Sequence, residues 1–175
     1  MKSFCREQHI STSGLTSGAF AILTGIYTNQ QEALFSTIYH GRKKEAAHII
    51  GMFVKTLPVY AKWDNDMRAA DFLTNLSAQM QGSRDNDIFS FADINTICRM
   101  NDKPMFGWHG TIRTHTEVCG KPASEKLLDK NVSNNLLSAE LMAVPSGLYL
   151  RIEYNSGKYS AQIFRRVYRN LCENV

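Results

Sequence analysis

The strongest constraint on the fold is a change of hydrophobic period along the chain. Apolar residues recur at helical spacing over residues 12–27 and 67–81, whereas apolar and polar residues alternate strictly from Leu148 to Asn155. A period near 3.6 indicates an amphipathic helix, and a period of 2 indicates a strand with one buried face. Because both periods occur along one chain, the sequence predicts an α/β fold with a mixed β-sheet packed with helices.

Shorter segments complete the predicted order. β-branched and aromatic runs indicate further strands at 34–40, 57–63, 106–115 and 136–143. Apolar spacing indicates further helices at 44–54, at 91–97 and from residue 160 onward. Polar residues indicate loops at 82–86 and 119–135. With 175 residues in all, we expect a single domain over residues 1–175.

Composition narrows the class of protein. Apolar residues make up 43% of the chain, charged residues 21%, and the net charge is +4 with the basic residues scattered, so we expect no nucleic-acid binding. Apolar runs fall short of the roughly 18 residues that a membrane span needs, so we expect a soluble, cytoplasmic protein with no membrane partner. No Cys-x-x-Cys pair occurs, which favours buried free thiols over disulfides or zinc ligands. The four cysteines are Cys5, Cys98, Cys119 and Cys172.

Residue chemistry by itself predicts no catalytic centre. His109 and His115 share a predicted strand face but lie about 20 Å apart on an extended strand, too far for one metal ion. Ser13-Gly14 and Ser17-Gly18 are the nearest approaches to a Gly-x-Ser-x-Gly elbow, yet neither follows a strand, so we interpret them as residues of a helix start. No glycine-rich phosphate loop is present.

Two further groups have plain structural interpretations. Asp85 and Asp87 fall in a segment rich in Asp and Asn, which is typical of a solvent-exposed loop. Phe53, Phe91 and Trp108 fall on predicted buried faces, so we expect them in the core before we expect them to contact a ligand.

The run from Ile50 to Val59 is the most distinctive motif. Gly51, Phe53, Val54, Thr56 and Leu57 precede Pro58, and the order indicates a helix that ends directly before a strand. It resembles the Gly-x-Phe-Val-Asn-Thr-Leu-Pro segment in the second half of the condensation domains of nonribosomal peptide synthetases.

Other segments resemble the same family, in the family's order. Leu34 to Arg42 is similar to a strand that ends in Gly-Arg, with Ser36 for the usual glycine. Phe89 to Ile94 resembles Tyr-Pro-Phe-Glu-Asp-Ile, and Arg99 to Phe106 resembles Arg-Asp-x-Ser-Arg-Asn-Pro-Leu-Phe, shortened by one residue. Leu148 to Val175 resembles the closing strand and helix. Together these segments cover nearly the whole chain.

The resemblance implies a chloramphenicol-acetyltransferase-like lobe and a role in amide-bond formation. In the family, two such lobes enclose a tunnel, and carrier proteins deliver aminoacyl and peptidyl thioesters on phosphopantetheine arms. We therefore expect no cofactor bound directly, and carrier proteins and an N-terminal condensation lobe as partners. The chain would supply tunnel wall and carrier-protein surface.

One departure concerns catalysis. The family's catalytic histidine belongs to a His-His-x-x-x-Asp-Gly motif, and no histidine of this chain has a histidine neighbour. The resemblance therefore implies the C-terminal lobe alone, from a truncated gene, an excised piece or one half of a split protein. It implies a fragment of a peptide-bond-forming acyltransferase with no catalytic residue of its own.

Site residues follow from the same resemblance. Gly41 and Arg42 match active-site support positions, where the family's arginine pairs with the aspartate of the missing motif, so we expect Arg42 to be an exposed arginine beside a turn. Lys55 and Lys103 stand where the family has asparagine. The tunnel-wall candidates are Gly51, Phe53, Lys55, Thr56, Phe91 and Lys103.

Two other interpretations stay open. A lobe without its partner exposes apolar surface and sheet edge, which favours a non-catalytic interaction module or remnant that associates with a second copy of itself. A lobe of a coenzyme-A-dependent acyltransferase with the same architecture is the weaker alternative.

Overall fold

The computed structural model describes residues 1–42, 44–111, 116–123 and 136–166. The helices are α1 (Lys2–Glu7), α2 (Thr12–Thr28), α3 (Ala69–Asp85) and α4 (Phe91–Cys98), with short 3₁₀ turns at Lys44–Ala46 and Met100–Asp102. The strands are β1 (Glu32–Tyr39), β2 (Lys55–Lys62), β3 (Met105–Thr111), β4 (Thr116–Val118), β5 (Lys121–Ala123), β6 (Leu137–Val144) and β7 (Gly147–Tyr154). Residues 161–166 are also helical.

Five strands form one mixed sheet in the order β2-β1-β3-β6-β7. β1 pairs with β2 and β6 with β7 in antiparallel fashion, whereas β3 runs parallel to both β1 and β6. β2 lies at one edge, a position that tolerates Pro58 because proline lacks a backbone N–H. The predicted mixed sheet packed with helices is confirmed.

One face of the sheet carries the core. Phe35 and Phe106 from adjacent strands contact Phe20 of α2, with ring centroids 5.2 and 4.7 Å from it. α3 covers β2 on the same face through a buried apolar stripe. α2 and α3 pack so closely on each other that a Cβ on Gly18 would overlap the side chain of Leu73.

Several predicted boundaries were wrong. Residues 82–86 were predicted as a loop, but α3 continues to Asp85, since buried Met80 holds its end on the core and the Asn86 amide donates to the carbonyl oxygen of Gly82. The loop predicted over 119–135 begins instead with a β4–β5 hairpin whose turn residues, Cys119 and Gly120, have φ of 52° and 72°. Two positive φ values are typical of a type I′ turn. Residues 124–135 lie outside the described part.

The predictions for strand β3 and for the last helix are tested only in part. β3 extends from Met105 to Thr111, and residues 112–115, including His115, lie outside the described residues. The helix predicted after residue 160 is observed at 161–166, and residues 167–175 lie outside the description.

Burial corrects two further expectations. Phe53, Phe91 and Trp108 are half-buried rather than core residues. Cys5 is buried as expected, but the free thiols of Cys98 and Cys119 are exposed, because they lie at the end of α4 and in the hairpin turn. Cys172 lies beyond the described residues. Within the described part, no helix has the length and apolarity to cross a membrane.

Candidate functional site

The connection between β1 and β2, residues 40–54, forms the candidate site. Gly41 opens it with φ of +61°, and a Cβ at this position would overlap the carbonyl oxygen of Phe53. Glycine is required on both grounds, since other residues are strained at positive φ and no side chain fits. Gly41 thus lets the two ends of the connection touch.

Arg42 holds the connection in place. Its Nη1 donates to the carbonyl oxygens of Ala46 at 2.8 Å and Ile49 at 2.6 Å, and its Nη2 donates to that of Gly51 at 3.0 Å. The guanidinium also lies 4.3 Å from the centroid of the Phe53 ring. The expectation of an exposed arginine beside a turn was wrong: Arg42 is half-buried and organises the segment that follows it.

The same contacts explain why the helix predicted at 44–54 is absent. Only Lys44–Ala46 forms a single 3₁₀ turn. In a helix the carbonyls of Ala46 and Ile49 would accept from backbone N–H groups four residues later. Here Arg42 Nη1 donates to both carbonyls, and the backbone N–H that Ala46 accepts is that of Ile49, three residues later. The apolar residues of the run have no buried face to occupy, since Ile50 and Met52 are 101% and 89% exposed. Periodicity alone could not foresee either effect.

A surface cleft of about 500 Å³ lies within this connection. Its lining residues are His40, Arg42, Lys44, Ala47, Gly51, Met52, Phe53 and Val54. Three of the predicted site residues therefore meet here, namely Arg42, Gly51 and Phe53, and Gly41 lies between two lining residues. Sequence analysis missed His40 and Lys44, although their proximity to Gly41-Arg42 was a usable signal.

His40 has a defined hydrogen-bond pattern in this arrangement. Its Nδ1 accepts the backbone N–H of Arg42 at 3.0 Å. A ring nitrogen that accepts a hydrogen bond carries no proton, so Nε2 is the ring nitrogen that can donate in this arrangement. The ring also stacks on Tyr39, with centroids 5.4 Å apart. His40 thus contributes an N–H donor at the cleft.

Lys55 follows the cleft on β2 and pairs with Asp87. Its Nζ lies 3.1 Å from Oδ2 of Asp87 and also donates to the Asp87 backbone carbonyl. The Oδ2 contact lacks hydrogen-bond alignment, and this buried oxygen has no other hydrogen-bond partner in the described residues. The Asp87 side chain is only 7% exposed, so the expectation of a solvent-exposed loop aspartate was wrong. The neighbouring Lys55 compensates the buried charge.

The remaining candidates lie apart from the cleft. Thr56 is half-buried next to Lys55 on β2. Phe91 begins α4 behind a capping box, in which Ser90 and Asp93 exchange hydrogen bonds that lower the pKa of the Asp93 carboxyl. Lys103 precedes β3, whose Met105 lies beside Ser36, about 10 Å along β1 from the Tyr39 that faces Lys55. Phe91 and Lys103 do not line the cleft.

A second pair of titratable groups lies on the sheet. His109 Nε2 is 3.8 Å from Oε1 of Glu140 on the neighbouring strand, and the His109 side chain is exposed. Within the described residues no cluster of three histidine, cysteine or acidic side chains could hold a metal ion.

Solved structures with the same fold include condensation domains. The starter condensation domain of rhizomide synthetase RzmA matches with a TM-score of 0.74 at 16% identity, over 89% of this chain and 39% of that one. The first condensation domain of the CDA synthetase matches with a TM-score of 0.69 at 15% identity, over 94% of this chain and 38% of that one.

Sequence comparison gives the family. The family model of the Condensation domain matches residues 1–175 of the sequence, so the chain belongs to the condensation-domain family. Bacitracin synthase 1 of Bacillus licheniformis is 21% identical over 180 residues, which cover 98% of this chain and 3% of the synthase. Bacitracin synthase 3 of the same organism is 26% identical over 95 residues, which cover 54% of this chain and 2% of that protein. The chain thus spans about two-fifths of the solved domains and a few per cent of the synthases.

Proposed function

We propose that the chain acts as the C-terminal lobe of a nonribosomal peptide synthetase condensation domain. In this role it forms one wall of the tunnel and part of the carrier-protein surface during amide-bond formation. The carrier-bound substrates are aminoacyl and peptidyl thioesters on phosphopantetheine arms, and the chain binds no cofactor directly. Its partners are an N-terminal condensation lobe and the carrier proteins.

The observation that carries this proposal is the extent of the family match. The family model matches the whole chain, yet the chain spans only 38–39% of the two solved condensation domains. The motifs that resemble the second half of the family occur in the family's order from Leu34 onward. Both facts support a single lobe of a two-lobed domain.

Catalysis would depend on the other lobe. Amide formation requires an amine to attack the thioester carbon, with a base or orienting group for the amine and stabilisation of the developing oxyanion. The chain contains His9, His40, His48, His109 and His115, and none of them adjoins another histidine. Among the described histidines, His40 lines the cleft; its Nδ1 accepts from Arg42 and so offers no base at that nitrogen. We therefore expect no condensation by this chain alone.

The described contacts suit a supporting wall. Gly41 and Arg42 fix residues 44–53 without regular secondary structure beyond one 3₁₀ turn. Lys55 and Asp87 then fasten the start of β2 to the segment between α3 and α4. Because Arg42 bonds backbone carbonyls up to nine residues away and Lys55 bonds a residue 32 positions away, we expect the wall to keep its shape without a partner. We propose that Gly51, Phe53, Lys55 and Thr56 face the tunnel, with Phe91 and Lys103 more peripheral.

Exposed apolar side chains support a docking role. Ile50, Met52, Ile88, Phe89 and Ile97 are each at least 60% exposed. The Lys55–Asp87 pair brings the two segments that carry four of these residues close together, since Val54 and Ile88 adjoin the paired residues. Apolar surface of this kind marks a protein-binding site. The proposal includes a cytoplasmic location, where exposed thiols such as those of Cys98 and Cys119 stay reduced.

Complex formation tests the proposal. A separately expressed N-terminal condensation lobe that carries His-His-x-x-x-Asp-Gly is mixed with the purified chain and analysed by size-exclusion chromatography with light scattering. We expect a one-to-one complex, and weaker binding for the chain with Met52→Ser and Ile88→Ser. Failure of several such lobes to bind would contradict the lobe assignment.

The same apolar surface favours a second candidate, a non-catalytic module or remnant that associates with itself. Light scattering of the purified chain over a wide concentration range distinguishes the two functions. A dimer that persists in the presence of the N-terminal lobe supports self-association, whereas a monomer at all concentrations excludes it.

A further inference from the structure

We propose that the cleft between β1 and β2 is a binding site for a carboxylate carried on an apolar body. This binding site lies in the same tunnel wall as the proposed function. The proposal deepens that function by naming a class of ligand. It rests on that function only for the source of the ligand, and its test requires no partner lobe. The two therefore succeed or fail separately.

The charge of the cleft lining selects an anion. Arg42 and Lys44 contribute two positive charges, and among the described residues no aspartate or glutamate lines the cleft. Glu45 adjoins Lys44 in the 3₁₀ turn but does not line the cleft. An uncompensated pair of cations at a concave surface concentrates anions.

Hydrogen-bond donors remain available for that anion. A guanidinium has five N–H donors, and three contacts of Arg42 with backbone carbonyls occur in the described residues. Two Arg42 donors are thus unassigned within the described part. His40 adds its Nε2–H, since Nδ1 is fixed as an acceptor, and Lys44 adds its ammonium. A carboxylate has two oxygens and about four acceptor sites, which matches this set.

The other side of the cleft selects an apolar body. Ala47, Met52, Phe53 and Val54 contribute apolar surface to the lining. A cleft of about 500 Å³ falls within the range of roughly 300–1,000 Å³ that is usual for sites of small organic ligands. A bare inorganic anion would leave the apolar wall exposed. A carboxylate on an aliphatic or aromatic stem satisfies both sides.

Two sources present this chemistry. One is a small acid, either free or as the acidic side chain of a carrier-bound acyl group. The other is an aspartate or glutamate flanked by apolar residues in a partner polypeptide. Either source would place its carboxylate between His40, Arg42 and Lys44. An experiment with one probe for each source distinguishes them.

The experiment uses the purified chain and amide NMR shifts at Gly41, Arg42, Gly51 and Phe53. Phenylacetate is the small-acid probe, with phenylacetamide as its neutral isostere and acetate as the anion without an apolar body. The blocked peptide acetyl-Leu-Asp-Leu-amide is the polypeptide probe. We expect saturable shifts with phenylacetate or the peptide, and affinity lower by about fivefold for phenylacetamide and for acetate. Preference for phenylacetate assigns a small acid, and preference for the peptide assigns a partner side chain.

Matched variants locate the site. Lys44→Met removes a cleft charge and should weaken phenylacetate or peptide binding by about fivefold, whereas Lys62→Met on β2 should not change it. His40→Asn keeps an acceptor for the Arg42 N–H but lacks the reach of Nε2, so it should weaken binding with the fold intact. Equal affinity for phenylacetamide, equal effects of Lys44→Met and Lys62→Met, or no saturable shift with either acid would overturn the proposal.

Discussion

The Lys55 ammonium lies 3.1 Å from Oδ2 of Asp87, and this ion pair joins the first residue of β2 to the segment that follows α3. The Asp87 side chain is almost fully buried, whereas that of Lys55 is 39% exposed. Burying a carboxylate without a partner costs free energy of folding. The Lys55 ammonium offsets that cost for Asp87. Lys55 stands where the resembling family motif has asparagine, and Asp87 compensates that difference.

Breaking this pair should destabilise the fold. Lys55→Met leaves the Asp87 carboxylate buried without a cation, and the free energy of unfolding should fall by about 1–3 kcal/mol, between the limits for exposed and buried pairs. Adding Asp87→Asn should recover part of the loss. Urea denaturation of both single variants and the double variant gives the coupling energy. Lys62→Met on the same strand is the control, and additive effects at 55 and 87 would show that the pair has no energetic role.

Gly41 should tolerate no side chain. Gly41→Ala places a Cβ against the carbonyl oxygen of Phe53 at positive φ, and it should lower the free energy of unfolding by at least about 2 kcal/mol. Gly82→Ala is the matched control: Gly82 lies within α3 with open space around it, so alanine should stabilise by about 0.5–1 kcal/mol. Thermal denaturation of both variants checks the opposite signs. Equal effects would show that the Gly41–Phe53 contact does not constrain the chain.

Lysine should not replace Arg42 in stabilising the connection between β1 and β2. Arg42→Lys keeps the charge but cannot donate to three carbonyls as a planar fork, nor stack as well on Phe53. We expect a loss of about 1–2 kcal/mol and faster proteolysis between residues 44 and 54. Arg68→Lys, at the N-cap of α3 where the side chain makes no capping hydrogen bond, is the control. Unchanged cleavage in Arg42→Lys would contradict the organising role.

The capping box of α4 should give a pH-dependent contribution. Ser90 donates to the Asp93 carboxylate from its hydroxyl at 2.6 Å and its backbone N–H at 3.1 Å, which lowers the pKa of Asp93 from its ordinary value of 3.8. A lowered folded-state pKa means that the stabilisation is complete above the ordinary value and is lost as pH falls through the folded value. Asp93→Asn should therefore destabilise at neutral pH and have a shrinking effect in acid. Unfolding free energies of both proteins from pH 7 to pH 2 test this, and a pH-independent difference would contradict it.

Local patterns predicted most of the regular structure. The strict alternation from Leu148 to Asn155 and the apolar spacing of residues 12–27 correspond to β7 and α2 within two residues, because one face of each element meets the core. The family motifs likewise directed attention to Gly41, Arg42, Gly51 and Phe53, which the structure brings together. These features leave a local signal in the sequence, either a hydrophobic period or a short motif.

Features that depend on particular side-chain contacts or on strand register were missed. The predicted helix at 44–54 failed because Arg42 takes its carbonyls, and a side chain that replaces backbone donors leaves no trace in hydrophobic period. Asp87 was assigned to a solvent-exposed loop because its partner is 32 residues away. Lys103 was grouped with Lys55, although the register of β1 with β2 and β3 places them at different levels of the sheet.

Reconstitution of condensation tests the central claim most directly. Two carrier proteins, loaded with a donor and an acceptor aminoacyl group, are incubated with the purified chain, with an N-terminal His-His-x-x-x-Asp-Gly lobe, and with both. Carrier-bound dipeptide is then measured by mass spectrometry. If the chain is the C-terminal lobe of a condensation domain, product forms only with both polypeptides and disappears when the second histidine of the N-terminal lobe is replaced by alanine. Dipeptide formed by the chain alone, or no dependence on the chain, would contradict the claim.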